Sequence, residues 1–178
     1  MHLEEKHIST EEIFDGIVVK LNRDTVLLED GSTATREVIK HPGGVGILPL
    51  DDDNNVYMVR QFRYPHNRVM LEIPAGKMEW GENPLDTATR ELKEEIGATA
   101  SELINLYPLI PTPAYCGEVT HLYLAKGLTF TNQCLDEDEF LDVEKIPFDK
   151  LVDMVMSGEI LDGKTEIAIL KTKLLLQR

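Results

Sequence analysis

Gly76-Lys-Met-Glu-Trp-Gly-Glu-Asn-Pro-Leu-Asp-Thr-Ala-Thr-Arg-Glu-Leu-Lys-Glu-Glu-Ile-Gly97 is the stretch that decides the fold. Asn83 before Pro84 is a favoured pairing of N-cap and first helical residue. Gly97 stands where a helix ends in the left-handed conformation, so a helix is predicted between them. Along it Glu91 and Glu95 are four apart on one face, with Glu94 three residues from Glu91. Like charges at that spacing repel, and these occupy the last turns, where the helix dipole favours cations. A divalent cation between the carboxylates would relieve both costs. Oxygen donors without Cys or His suit Mg2+ or Mn2+ rather than zinc. Arg90, four residues before Glu94, supports a rival reading: an ordinary solvated face laced with ion pairs. Spacing alone leaves both open.

Outward from this helix the chain mixes strands and helices. The first forty residues read as a β-meander, with short runs at Ile17–Leu21 and Thr25–Glu29, an Asp30-Gly31 turn, and Arg36–Lys40. A module this short cannot bury enough apolar surface alone and must lie on the rest of the chain or on a second subunit. The Pro/Gly cluster His41-Pro-Gly-Gly marks a boundary. Strands are predicted at Val45–Leu50, Val56–Phe62, Val69–Pro74, Ile104–Leu109, Glu118–Ala125 and Phe140–Ile146. Two helices, roughly Phe148–Ser157 and Lys164–Leu176, close the sequence. The fold class is α+β (mixed α/β).

The 178 residues carry 32 Asp+Glu against 18 Lys+Arg, a formal net charge of −14. That balance argues against nucleic acid or an anionic membrane as partner, because phosphate contact needs a basic face. No stretch approaches the roughly 18 apolar residues of a membrane helix. Cys116 and Cys134 lack metal-site spacing and read as reduced, so a cytoplasmic location is expected.

Gly76, Glu82, Arg90-Glu91-Leu92, Glu94-Glu95 and Gly97, at these spacings, resemble the Nudix box G-x5-E-x7-R-E-U-x-E-E-x-G-U. Every fixed position agrees; Ala98 at the final aliphatic position is the one departure and touches packing alone. The resemblance implies a Nudix-type α/β/α sandwich with a mixed sheet, and Mg2+-dependent cleavage of a diphosphate linked to a nucleoside. It implies Glu91 and Glu95 as metal ligands, with Glu94 supporting them and Arg90 orienting the carboxylates. Glu82 bonds nearby structure or a metal water, and the Ala75 carbonyl is a backbone ligand.

Residues outside the box are similar to the ADP-ribose pyrophosphatase branch of that family. Pro113 lies sixteen residues after Gly97, the meander over residues 1–41 is similar to the branch's extra domain, and the resemblance implies a hydrolase domain over residues 42–178. That resemblance implies hydrolysis of ADP-ribose to AMP and ribose 5-phosphate, and a homodimer in which the meander is exchanged. Glu137 and Glu139 fall in the acidic loop that carries the family's base. The pattern puts the base on Glu137, with Glu139 as an extra metal or water ligand; a merely solvated loop is the alternative. Arg63 matches an arginine that grips the diphosphate, Glu72 is expected beside the site, bonding ribose or a metal water, and Arg36 is expected to reach the adenine. Gly16-Ile17 stands where relatives stack adenine on an aromatic, which leaves Tyr64, Trp80 and Tyr115 as substitutes. Other nucleoside diphosphate derivatives are the alternative substrates: a sugar nucleotide, diadenosine polyphosphate or NADH. A non-catalytic nucleotide-binding domain is a third reading, weakened by the retained box carboxylates.

Overall fold

Two strands with apolar residues on both faces organise the molecule. The structure, a computed structural model, describes residues 2–135, 137 and 139–177. Strand β4 (Gly44–Pro49) is buried at every position. It pairs in parallel with β9 (Thr120–Phe130), in register from Gly44 with Thr120 to Pro49 with Ala125. Side chains of a strand alternate between faces, so both strands contribute to two cores. Val45, Ile47, Tyr123 and Ala125 face helix α1 (Pro84–Ile96) and pack with its Ala88, Leu92 and Ile96. Leu48, Leu122 and Leu124 join the other core. There they meet Phe148 and Leu151 of α2 (Phe148–Met156) and Ile169 of α3 (Gly163–Leu176). The helices thus lie on opposite sides of β4 and β9.

β7 (Ala75–Lys77) and β8 (Ala98–Asn105) complete a four-stranded mixed sheet in the order β7-β4-β9-β8. A separate antiparallel sheet orders β10 (Leu141–Pro147), β5 (Asn55–Arg63) and β6 (Arg68–Glu72), with β5 central. The α+β class holds, with the strands divided among three sheets, two around the cores and the third the N-terminal meander. No helix among the described residues is long and apolar enough to cross a membrane. Cys116 and Cys134 are free.

The N-terminal meander forms, but with different bounds from those expected. Its strands are β1 (Lys6–Asp15), β2 (Lys20–Leu27) and β3 (Thr33–Lys40). The runs at Ile17–Leu21 and Thr25–Glu29 are not two strands. Gly16 N–H bonds the Val19 carbonyl in a turn, and β2 runs unbroken through Asn22-Arg-Asp. Pairing overrode the weak strand propensity of those polar residues, and of the polar β1. In the three strands only Asn22 and Val26 are buried. The meander joins the rest through β3: Ile39 N–H bonds the Tyr115 carbonyl at 2.7 Å, and Gly117 N–H bonds the Ile39 carbonyl at 2.9 Å. The strand expected over Ile104–Leu109 lies earlier, as β8 directly after the helix, and Leu109 makes an isolated bridge to Thr120.

α1 has the predicted ends. The Asn83 side chain accepts from Leu85 N–H at 2.9 Å, and Pro84 occupies the first turn, where no partner for its nitrogen is needed. Gly97 closes the helix at φ +64°, its N–H on the Leu92 and Lys93 carbonyls. Its own carbonyl takes Thr131 N–H at 2.6 Å. A Cβ at this position would lie 2.5 Å from the Thr131 oxygen and 2.8 Å from Gln133 N. Gly97→Ala is therefore expected to destabilise the protein by about 2–5 kcal/mol, strain and overpacking together. Urea unfolding measures this; a loss below about 1 kcal/mol would contradict the close approach.

Candidate active site

The face of α1 that meets the sheet carries carboxylates among its apolar residues. Glu91 is 7% exposed and Glu95 2%, beside Ala88, Leu92 and Ile96. The solvated-face reading of these two residues is thereby overturned. Burial lifts the Glu91 carboxyl above its ordinary range, although Arg90 opposes this. Burial pushes Glu95 further, to about 8. Ala75 N–H donates to Glu95 Oε2 at 2.9 Å and resists that shift, while the charges of Glu91 and Glu139 add to it.

Backbone comes within reach because position 76 has no side chain. β7 pairs with β4 through Ala75 with Gly46 and Gly76 with Val45. A Cβ on Gly76 would sit 1.9 Å from the carboxyl carbon of Glu91. The first glycine of the motif is thus a spatial requirement of this site.

Arg90 gathers the remaining box carboxylates. Its guanidinium lies 2.7 Å from Glu91 Oε1, 2.9 Å from Glu94 Oε2 and 3.6 Å from Glu82 Oε1. Glu82 also accepts from Glu79 N–H at 2.9 Å, which holds its carboxyl below the usual range and ties it to the preceding loop. Glu139 is half-buried and its charge acts on both Glu91 and Glu95, whereas Glu137 is exposed.

A polar cleft of about 230 Å³ opens beside Ala75 and Gly76, with Arg63, Lys164, His41 and Glu118 also in its wall. The charge cluster behind this wall was only half visible in the sequence. Glu72, 2% exposed, takes both Nε and Nη2 of Arg63 at 2.7 Å, and Lys164 Nζ bonds its Oε2. Burial alone would raise this carboxyl, but the two cations outweigh it and hold it at about 2. Lys164 also meets Asp162 at 2.9 Å. Asp162 caps α3 by accepting from Thr165 N–H at 3.1 Å, and the Thr165 hydroxyl accepts Ile73 N–H at 2.9 Å. Sequence reasoning named Arg63 and Glu72 but missed Lys164, Asp162 and Thr165. An Asp three residues before Thr165 signals a cap; nothing local signals its bond to residues some ninety positions away.

The other expected substrate residues lie elsewhere. Arg36 is on the meander, with its Nε 2.9 Å from Glu5 Oε2 and its Nη1 on the Thr35 carbonyl. Pro113 is exposed in the loop that docks β3 through Tyr115 and Gly117. Tyr64, Trp80 and Tyr115 are exposed, and Trp80 walls a cleft of about 410 Å³ with Ile17, Val18 and Met78.

Residues 40–164 match the NUDIX domain family. A methanol dehydrogenase activator of Bacillus methanolicus is 43% identical over 168 residues, 93% of this chain and 91% of its own length. An ADP-ribose pyrophosphatase of Bacillus subtilis (strain 168) is 43% identical over 169 residues, 94% of this chain and 91% of its own. Among solved structures, one titled as an ADP compounds hydrolase superposes with a TM-score of 0.86 at 20% identity, covering 98% of this chain and 96% of that one. At that identity the superposition speaks for the fold. With the box residues assembled as described and a family match over 125 of 178 residues, the chain belongs to the NUDIX family.

Proposed function

We propose that the protein hydrolyses the diphosphate bond of ADP-ribose, giving AMP and ribose 5-phosphate, with Mg2+ (or Mn2+) as cofactor. The observation that carries the reading is the buried Glu91–Glu95 pair against the Ala75-Gly76 backbone, a backbone that also lines a cleft walled by Arg63 and Lys164. The name of the B. subtilis relative supplies the substrate.

The donor set fits a hard divalent cation. Glu95 is a buried carboxylate that accepts from Ala75 N–H and has two like charges near it, a cost that a cation would remove. Among the described residues, no three His, Cys, Asp or Glu side chains form a metal cage. Mg2+ commonly uses one or two carboxylates and completes its shell with water and substrate phosphates, so a full cage is not needed. Glu91, Glu95 and the Ala75 carbonyl would hold it, with Glu82 acting through water. The cation's chemistry there is to neutralise diphosphate oxygens and acidify a water.

Protein groups do the rest. Arg90 restrains Glu91 and Glu94 at hydrogen-bond distance, which pre-orients the carboxylates. Arg63 offers a planar fork matched to phosphate oxygens. Glu137 takes a proton from water as general base, and Glu139, whose charge acts on Glu91 and Glu95, serves as a further metal or water ligand. Glu72 neutralises the cleft's cations, and Pro113 shapes the substrate side of its loop. A cytoplasmic location is part of this reading.

Assembly belongs to the same proposal. β1 is exposed along its whole length, and Ile8, Ile13, Phe14, Ile17 and Val18 present apolar surface. Covering it with a second copy gives a two-fold homodimer with residues 1–41 exchanged, and brings Arg36 to the partner's adenine site.

Three outcomes are expected. ADP-ribose turnover requires Mg2+ and yields both products; Glu137→Gln lowers kcat by roughly 10²–10⁴ while Glu139→Gln mainly changes metal dependence. Equal, mild effects of both substitutions would return the loop to a solvated surface. Light scattering gives twice the 20.1 kDa chain mass, and deleting residues 1–40 costs dimerisation and adenosine-side affinity together. A fully active monomer excludes the shared site.

The third concerns pH. Glu95 holds its proton more tightly in the folded state, at about 8 against an ordinary 4.5. The stability this carries is full below about pH 4.5 and is lost as pH rises through 8. In EDTA, Glu95→Gln is therefore expected to raise Tm over wild type at pH 8.5 and hardly at pH 4.5, since the amide oxygen can still accept from Ala75 N–H. Added Mg2+ reverses the order by stabilising wild type alone. A Tm difference that does not change with pH would contradict the buried-charge account.

A further inference from the structure

The wall of the cleft, with the buried carboxylate behind it, holds more charge than diphosphate binding by Arg63 requires. Glu72 is 2% exposed yet accepts from two cations, both nitrogens of the Arg63 fork at 2.7 Å and Lys164 Nζ. Both cations line the same cleft. They are not equivalent. The Arg63 side chain is 36% exposed, while that of Lys164 is 17% exposed and further anchored by Asp162 at 2.9 Å. The Asp162–Thr165–Ile73 bonds pin the start of α3 to the residue next to Glu72, which keeps the ammonium in place.

A guanidinium held in a fork by a buried carboxylate is not free to grip anything else. Leaving that carboxylate without a partner exposes an uncompensated buried charge, one of the costliest changes in a folded protein. A second cation on the same carboxylate removes the penalty. We propose that Lys164 is a positioning residue that keeps Glu72 neutralised while Arg63 turns from it to a phosphate oxygen of the substrate. Lysine suits the task as a compact charge with three donors, able to bond Glu72 and Asp162 together. The inference rests on the reading above that Arg63 binds the diphosphate.

The test is a double-mutant cycle in the full-length protein with Mg2+. Lys164→Met is expected to raise KM for ADP-ribose roughly 10–100-fold with kcat nearly unchanged, because Arg63 stays locked on Glu72. Lys164→Arg keeps most of the affinity. In a Glu72→Gln background, Lys164→Met is expected to leave KM unchanged, since a neutral amide needs no counter-ion. This arm also stands in if the single Lys164→Met variant fails to fold. A tenfold or greater KM rise in that background, or equal losses of kcat and KM in both, would overturn the proposal in favour of a structural role. Arg63→Ala with unchanged KM would instead remove the diphosphate reading itself. If wild type does not turn over ADP-ribose, the proposed function falls, and Lys164 is tested through the Arg63 15Nε resonance titrated with inorganic pyrophosphate. That resonance shifts in wild type and stays fixed in Lys164→Met; identical shifts in both would refute the inference.

Discussion

Two carboxylates buried side by side on the sheet-facing side of α1 are the constraint around which the site is arranged. An amphipathic helix gains stability by burying a stripe of apolar residues, and Ala88, Leu92 and Ile96 do so here. Inserting Glu91 and Glu95 into that stripe spends part of the gain on desolvating charge. The arrangement around them limits the cost without abolishing it. Gly76 lets the β7 backbone close on Glu91, Ala75 gives one N–H to Glu95, and Arg90 fastens Glu91 from the open side. A core selected for stability alone would place a leucine at Glu95. Retaining an ionisable group there, with its titration pushed to about 8, is in keeping with the proposed cation site.

The sequence made the helix and its carboxylates legible because their signals are local. Asn83-Pro84 and Gly97 bracket α1 through backbone rules that act within a few residues, and the i,i+4 spacing of Glu91 and Glu95 follows from helix geometry. Whether that face was wet or buried could not be read the same way. It depends on β4 and β7 lying against α1, which is a tertiary fact. β4 itself was recognisable as a strand from a continuous apolar run; its parallel partner β9, some seventy-five residues later, was not assignable. The meander shows the opposite failure. β1 is polar and exposed, so no burial pattern marks it, and its pairing with β2 alone makes it a strand.

The Glu72 cluster shows why charged sites resist sequence reading. Arg63 and Glu72 sit near each other in sequence on adjacent antiparallel strands, but register sets Arg63 opposite Arg68 and Glu72 opposite Val59, so the pair is made by side-chain reach and not by cross-strand pairing. Lys164 and Asp162 come from the start of α3, on the far side of the domain in chain order. A buried carboxylate must find its counter-charges wherever the fold delivers them, and sequence distance carries no information about that. Seen as lone residues, Arg63 is a phosphate binder and Glu72 a contact to ribose or a metal water; in the folded chain they are first of all partners of each other.

This pairing bears on how so acidic a protein can accept an anion. With a net charge of −14, the surface repels a diphosphate at long range, and salt screens that repulsion beyond about 8–10 Å. Attraction therefore has to be local and switchable. Inside the cleft Arg63 and Lys164 are balanced by Glu72 and Asp162, so the unliganded wall is near neutral and stable. In the proposed binding mode a phosphate competes with Glu72 for the Arg63 guanidinium, and the anchored ammonium covers the loss. Two cations sharing one buried carboxylate give the wall a charge it can lend, where one cation per carboxylate would give it only a closed pair.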